Sequence, residues 1–189
     1  MKKIEGFNVP ESWQDITISN LIRLQDLKMK NNIESHFEVI RIFNPKKDPA
    51  KADFLTAMNV AKEIYETIQN SPSTNAGKDN YSIKGKIYSL KSIEEIDFQT
   101  FLDFQGLTAN IDDWERIKNL GLLLAILTKN PPKKDLKEFA VDIADNVSVA
   151  DGASIMVFFS ENLTNYLQNT PLYLSSQEKI KSGQKEIKK

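Results

Sequence analysis

Few side chains in this sequence are equipped for chemistry. His36 is the only histidine in 189 residues, and there is no cysteine. Disulfides, thiolate metal sites and cysteine nucleophiles are therefore excluded, and one imidazole cannot build a histidine-rich metal site. His36 is flanked by Glu34 and Glu38. It reads as a surface or packing residue, with general base or metal ligand as the alternative, because a perturbed site needs partners that converge. Three carboxylate pairs invite a test: Asp97 with Asp103, Asp112 with Asp113, and Asp142 with Asp145. A glycosidase or two-metal hydrolase needs carboxylates about 5–10 Å apart in a cleft. Asp112-Asp113 falls where a helix cap belongs, and Asp142 and Asp145 are three apart on a solvated helical face. Capping and solvation account for these carboxylates. An enzyme would require residues such as Asp103, Asp112 and His36 to line one deep cleft. There is no G-x-S-x-G elbow, and neither Gly85-Lys86 nor Gly77-Lys78 has the earlier glycine of a phosphate-binding loop. No catalytic residue, cofactor site or metal site is assigned.

The elements that would position these groups are mostly helical. The first residues, through Trp13 and Ile16-Thr17-Ile18, read as extended and irregular. Ser19 or Asn20 offers a cap for a helix to about Met29, striped by Leu21, Leu24 and Leu27, and Asn31-Asn32 breaks it. Ile33, Phe37, Ile40 and Phe43 share a second helical face, which Asn44-Pro45 stops. Asp48-Pro49 is a helix start, after which Phe54, Met58, Ala61, Tyr65 and Ile68 keep one face apolar to about Asn70. Residues 71–80 read as a loop by composition.

A β-hairpin is expected at 81–90, with Tyr81, Ile83, Ile87 and Tyr88 around Lys84-Gly85-Lys86 and positive φ at Gly85. Two strands alone are marginal in water, so the hairpin must lie on helices. Ser92-Ile93-Glu94-Glu95 matches a capping box, and Asp97 offers a second start one turn later. Phe98, Phe101, Leu102 and Gln105 continue that helix until Gly106. Ile111-Asp112-Asp113 opens the next, whose second half, Leu120-Gly121-Leu122-Leu123-Leu124-Ala125-Ile126-Leu127, is apolar nearly all round and reads as the central helix. Asn130-Pro131-Pro132 ends it. Residues 133–145 form an amphipathic helix through Leu136, Phe139, Ala140 and Ile143. Ser148 caps the last long helix, striped by Ile155, Phe158, Phe159, Leu163, Tyr166 and Leu167 and stopped by Thr170-Pro171.

The fold expected is mainly α: a compact multi-helix domain over 1–174 with one small hairpin, then a basic, flexible tail over 175–189. In that tail, Lys179, Lys181, Lys185, Lys188 and Lys189 face only Glu178 and Glu186, a net +3. It reads either as solvated or as an arm that orders on a partner or an acidic surface. The aromatic stripes Phe98/Phe101/Phe104 and Phe158/Phe159/Tyr166 read as core, with an interaction surface as the alternative. A formal net charge of -1 gives no general pull on nucleic acid. The apolar run ending at Leu127 is far short of the roughly 20 residues that span a bilayer, and Glu5, Asn8, Pro10 and Glu11 interrupt any signal peptide. A cytosolic setting is expected.

The order of motifs in the second half carries a resemblance. Tyr81-Ser82-Ile83-Lys84-Gly85-Lys86-Ile87-Tyr88 is followed by Ile96-Asp97-Phe98-Gln99-Thr100-Phe101-Leu102-Asp103-Phe104. Then come Asn119-Leu120 with Leu123-Leu124-Ala125-Ile126-Leu127, and Ser154-Ile155-Met156-Val157-Phe158-Phe159. This resembles a diffuse group of tailed-bacteriophage morphogenesis proteins: tail assembly chaperones and small tail or neck proteins. In them a short hairpin precedes an F-x-x-F-x-D helix, an L-x-x-x-L-A-x-L helix and a late helix with paired phenylalanines. The lysine-, asparagine- and isoleucine-rich composition also suits a phage of an AT-rich gut bacterium, such as the crAss-like group. The resemblance covers about half of the chain.

It implies a non-enzymatic assembly protein, a minor structural subunit or a chaperone. Its partners would be other phage structural or assembly proteins, or copies of itself in an oligomer or ring, and no small-molecule substrate, membrane or nucleic acid. Its setting would be the host cytoplasm during assembly or the virion. Lys84, Gly85 and Lys86 at the hairpin tip and Lys179, Lys181 and Lys185 in the tail are the candidate partner contacts. A small regulatory or adaptor domain binding one protein is the alternative.

Overall fold

Two short hairpins and seven α-helices make up the described part of the chain, which in this computed structural model comprises residues 1–27, 33–69, 77–109 and 111–168. The first hairpin corrects the expectation of an irregular N-terminus. Strand β1 (Lys2–Ile4) pairs antiparallel with β2 (Phe7–Val9), Lys2 opposite Val9 and Ile4 opposite Phe7. The turn residues Glu5 and Gly6 both take positive φ, 48° and 81°, as a two-residue type I′ hairpin turn demands. Strands of three residues are too short to show period-two alternation, so the turn was the readable signal. Asn44, itself buried, fixes the hairpin to the body. Its Oδ1 accepts from Asn8 N at 2.7 Å, and its Nδ2 donates to the carbonyls of Asn8 (3.0 Å) and Ile40 (3.1 Å).

Helices α1 (Ile18–Leu27), α2 (Ile33–Phe43) and α3 (Phe54–Gln69) complete the N-terminal half. The cap of α1 is Thr17, whose Oγ1 accepts from Asn20 N at 3.2 Å, in place of Ser19 or Asn20. Helix α2 ends at Phe43, ahead of Asn44-Pro45 as expected, but Ile33 is exposed while Val39 and Ile42 join Ile40 and Phe43 inside. Asp48-Pro49 starts only a 3₁₀ turn, Pro49–Lys51. The α-helix waits for Asp53, whose Oδ1 accepts from Thr56 N at 2.9 Å. That offset rotates the buried face of α3 to Ala57, Val60, Ala61 and Ile64 and leaves Phe54 in solvent. Phe7, Val9, Ile16, Leu21, Leu24, Ile40, Phe43, Val60 and Ile64 belong to one apolar cluster.

The second cluster lies among β3 (Asn80–Ile83), β4 (Lys86–Ser89), α4 (Phe98–Thr108), α5 (Asp113–Leu127), α6 (Leu136–Asn146) and α7 (Val149–Gln168). The expected hairpin is there, with Tyr81 opposite Tyr88 and Ile83 opposite Lys86. Lys84 and Gly85 occupy the turn with φ 50° and 81°. Tyr81 and Ile83 face the core and Ile87 faces water. The capping box and the second start at Asp97 are both used: Ile93–Glu95 is a 3₁₀ turn closed by Ser92 N donating to Glu95 Oε2 (2.9 Å), and Asp97 Oδ1 caps α4 at Thr100 N (2.7 Å). Gly106 does not end α4. The helix runs on to Thr108, where Asn119 Nδ2 takes the free carbonyl of Leu107 at 3.3 Å. Asp112, Asp135 and Ser148 cap α5, α6 and α7.

Helix α5 is central, packing on α4, α6 and α1. Gly121 makes the α5–α6 approach close, since a Cβ there would sit 2.7 Å from the Ala140 carbonyl oxygen. The two clusters are joined by main chain: Ile18 N donates to Val147 O at 3.2 Å and Val149 N to Ile16 O at 2.8 Å. The same crossing puts Ile18 in the second cluster and Val149 in the first. Among the described residues, no helix is long and apolar enough to cross a membrane.

Candidate functional site

The residues singled out for chemistry are held apart by their elements. His36 lies on α2, packed edge-on against Tyr65 at 5.6 Å, and its buried Nδ1 has no hydrogen-bond partner. Asp103, on the outer face of α4, accepts from Gln99 Nε2 at 2.8 Å. Asp97 and Asp112 each hold the N-terminus of a different helix. The Thr100 backbone and hydroxyl bonds hold the Asp97 carboxyl below its ordinary range. That is the signature of a cap. Asp142 pairs with Lys134, which lowers its pKa, and Asp145 accepts from the Ser19 hydroxyl at 2.5 Å. Among the described residues, no three histidine, aspartate or glutamate side chains gather into a possible metal site.

What the structure does bring together is apolar surface. The Ile93–Glu95 turn, the start of α4 and the second half of α7 enclose a groove made of two adjoining hollows. One, of about 350 Å³, is lined by Ile93, Phe158, Phe159, Asn162 and Tyr166. The other, of about 330 Å³, is lined by Ile93, Ile96, Phe98, Phe101, Leu163 and Tyr166. Glu94 and Asp97 stand on its acidic lip. Helices α4 and α7 meet through Phe104 and Phe159, whose ring centroids are 4.8 Å apart. Beyond that contact the helices leave large apolar side chains uncovered: Phe98 is 75% exposed, Tyr166 48% and Leu102 42%.

This corrects the expectation that Phe98, Phe101 and Phe104 form a core stripe: Phe104 is buried, with Thr100 on the same face, whereas Phe101 is half-buried and Phe98 is exposed. The signal was available in the sequence, because Phe98, Phe101, Leu102, Phe104 and Leu107 are more large apolar groups than one stripe of a three-turn helix buries. Of the α7 stripe, Ile155 and Phe159 are buried, Phe158 and Leu163 are half-buried, and Tyr166 is exposed on the groove.

The hairpin tip is a second exposed feature. Lys84, Gly85 and Lys86 are all exposed, beside Ile87. The tip is rigidly mounted. Tyr81 stacks on Tyr88 at 5.7 Å, and Tyr88 packs on Phe139 of α6 at 5.3 Å. The Thr128 hydroxyl donates to Leu124 O (2.6 Å), which leaves the Tyr81 hydroxyl as donor in their 2.5 Å contact. Main-chain bonds from Lys91 N to Leu127 O and from Lys129 N to Ser89 O, both 2.8 Å, tie β4 to the end of α5. The tip lysines lean on their own molecule: Lys84 Nζ is 4.0 Å from Asp142, and Lys86 Nζ lies 4.9 Å over the Tyr88 ring. Lys179, Lys181 and Lys185 lie outside the described residues.

Comparison with known proteins returned no matching family model, no matching curated protein and no matching solved structure.

Proposed function

We propose that this chain is a non-enzymatic assembly protein of the bacteriophage tail or head–tail neck, which acts by docking other virion proteins onto its α4–α7 groove. The observation that carries docking is the uncovered aromatic surface there. Phe98 and Tyr166 stand in solvent on the two walls of a groove, each wall capped and packed from behind. Burying one such side chain under a partner is worth about 1.5–3 kcal/mol, so a few anchors suffice for a specific contact. The hairpin tip, rigid and basic, offers a second contact at Lys84 and Lys86. The phage assignment is supported by the resemblance of residues 81–88, 96–104, 119–127 and 154–159 to tail and neck morphogenesis proteins. It covers both a subunit kept in the particle and a chaperone that leaves it.

The test is co-purification of the full chain with the structural proteins encoded beside it, together with mass spectrometry of particles and assembly intermediates. Stoichiometric chain in particles marks a subunit; presence in intermediates alone marks a chaperone. Phe98→Ser with Tyr166→Ser should abolish the co-purification while the protein stays folded. A chain found in neither fraction, and binding none of those proteins, ends the phage reading.

A further inference from the structure

Helix α4 is covered on one side. It packs on α5 and, through Phe104, on α7, which buries Thr100 and Phe104. With about 3.6 residues per turn, Phe98, Leu102 and Gly106 fall on the opposite side, four residues apart along one line. All three are exposed, Phe98 by 75% and Leu102 by 42%. We propose that this outer face binds a second copy of the same chain, α4 against α4 in antiparallel register across a two-fold axis at Leu102.

Three observations select a second copy as the occupant. The first is that the face is its own complement. Along α4 it runs from a large side chain through a medium one to none. Turned end for end against itself, Leu102 meets Leu102, and each Phe98 lies over Gly106 of the partner subunit. A two-fold contact needs such self-complementarity. The second is Gly106 itself. A glycine inside an exposed helix weakens it relative to alanine, and among the described residues nothing lies within 4 Å of a Cβ placed there. At Gly121 the missing side chain lets α6 approach; at Gly106 it serves no contact within the monomer. A phenylalanine ring from a second α4 fills that space. The third is charge. Asp103 is the only charged residue among the eleven of α4, and it lies to one side of the face, accepting from Gln99. The face therefore meets its copy without like-charge repulsion, and depletion of charge around aromatic groups marks interface cores. One three-turn face is far smaller than the roughly 1,200 Å² of a stable interface. The dimer is thus weak and reversible, with a dissociation constant between about 10 μM and about 1 mM. The hollow lined by Ile93, Phe158, Phe159, Asn162 and Tyr166 includes no α4 residue and stays open in the dimer.

The test needs no other protein, so it fails independently of the assembly reading. Sedimentation equilibrium of the full chain from about 10 μM to about 1 mM should show a reversible monomer–dimer shift. Gly106→Gln improves the helix and fills the space. It should raise the thermal midpoint in dilute solution yet weaken the dimer about ten-fold or more. Phe98→Ser should weaken the dimer by a similar factor. The absence of cysteine lets single substitutions read the register. Under mild oxidation, Leu102→Cys chains should link to one another. Phe98→Cys chains mixed with Gly106→Cys chains should link across the two kinds faster than within either, because like positions at the ends of the face lie about 12 Å apart along the axis. A chain that is monomeric at every concentration overturns the inference. So does a dimer indifferent to Gly106→Gln, or Phe98→Cys chains that link to one another as readily as to Gly106→Cys chains.

Discussion

Helices α5 and α6 close on each other, whereas α4 and α7 stand apart over a groove, although all four are apolar and share one core cluster. The difference lies in side-chain size at the crossing. On the closed side Gly121 faces Ala140 and Ala144, so the backbones approach until a carbonyl occupies the space of a missing Cβ. On the open side Phe104 meets Phe159, and two rings at 4.8 Å prop the helices apart. Small residues bring helices together and leave nothing to bind, while large ones at a single contact leave their neighbours uncovered. Interhelical distance follows the side chains at the contact. An apolar helix therefore becomes core or exposed surface according to one or two crossing residues.

Two phenylalanines give the largest contrast. Phe139, 1% exposed between α6 and the hairpin tyrosines, should cost about 3–5 kcal/mol when replaced by alanine. Phe98→Ala should change stability by no more than about 0.5 kcal/mol. Urea unfolding of both variants checks this, and equal losses would mean that the groove is already filled by core-like packing.

Two helical glycines sharpen it with opposite signs. Gly121→Ala drives a methyl to 2.7 Å from a backbone oxygen that cannot swing aside, and should destabilise by about 1–3 kcal/mol. Gly106→Ala in α4, with nothing within 4 Å of the new methyl, should stabilise by about 0.5–1 kcal/mol through helix propensity alone. Thermal midpoints moving in the same direction would break the comparison.

Tyr81 tests the closed side through pH. Burial raises its hydroxyl from 10.0 to about 12. Between those values the unfolded chain has released the proton and the folded chain keeps it, so stability must fall as pH rises through this window. Tyr81→Phe should cost about 1 kcal/mol at neutral pH, through the lost bond to Thr128. It should also flatten the alkaline decline relative to the parent, as denaturant midpoints at pH 9 and 11 would show. The smallest effect is expected at a cap. Asp97→Ala removes the acceptor for Thr100 N at the mouth of the groove and should lower stability slightly. The folded state holds the Asp97 carboxyl below its ordinary range, so its contribution is present at neutral pH and lost as pH falls through that lowered value. An acid unfolding profile unchanged by the substitution would show that this cap does not support the groove.

Local chemistry was legible in the residues. Asp97, Asp112 and Ser148 cap helices because a short acceptor before an apolar run satisfies free N–H groups wherever the helix later packs. Gly85 turns the hairpin because only a residue at ease with positive φ fits there. The central place of α5 followed from its all-round apolar second half, which no solvated position tolerates. The N-terminal hairpin is not legible in the residues because its strands are three residues long. Nor is the start of α3, because Asp48-Pro49 and Asp53 are both competent caps and only packing chooses between them.

The sequence by itself determined that this is a mainly helical chain, where most of its helices stop, and that no histidine–cysteine chemistry is available to it. Only the tertiary structure decided which apolar residues are core and which are surface. Periodicity records that a helix has an apolar side; it does not record how many sides its neighbours will cover. Phe98, Leu102 and Phe104 look alike along the chain, and the crossing of Phe104 with Phe159 alone makes one of them core and leaves the other two in water.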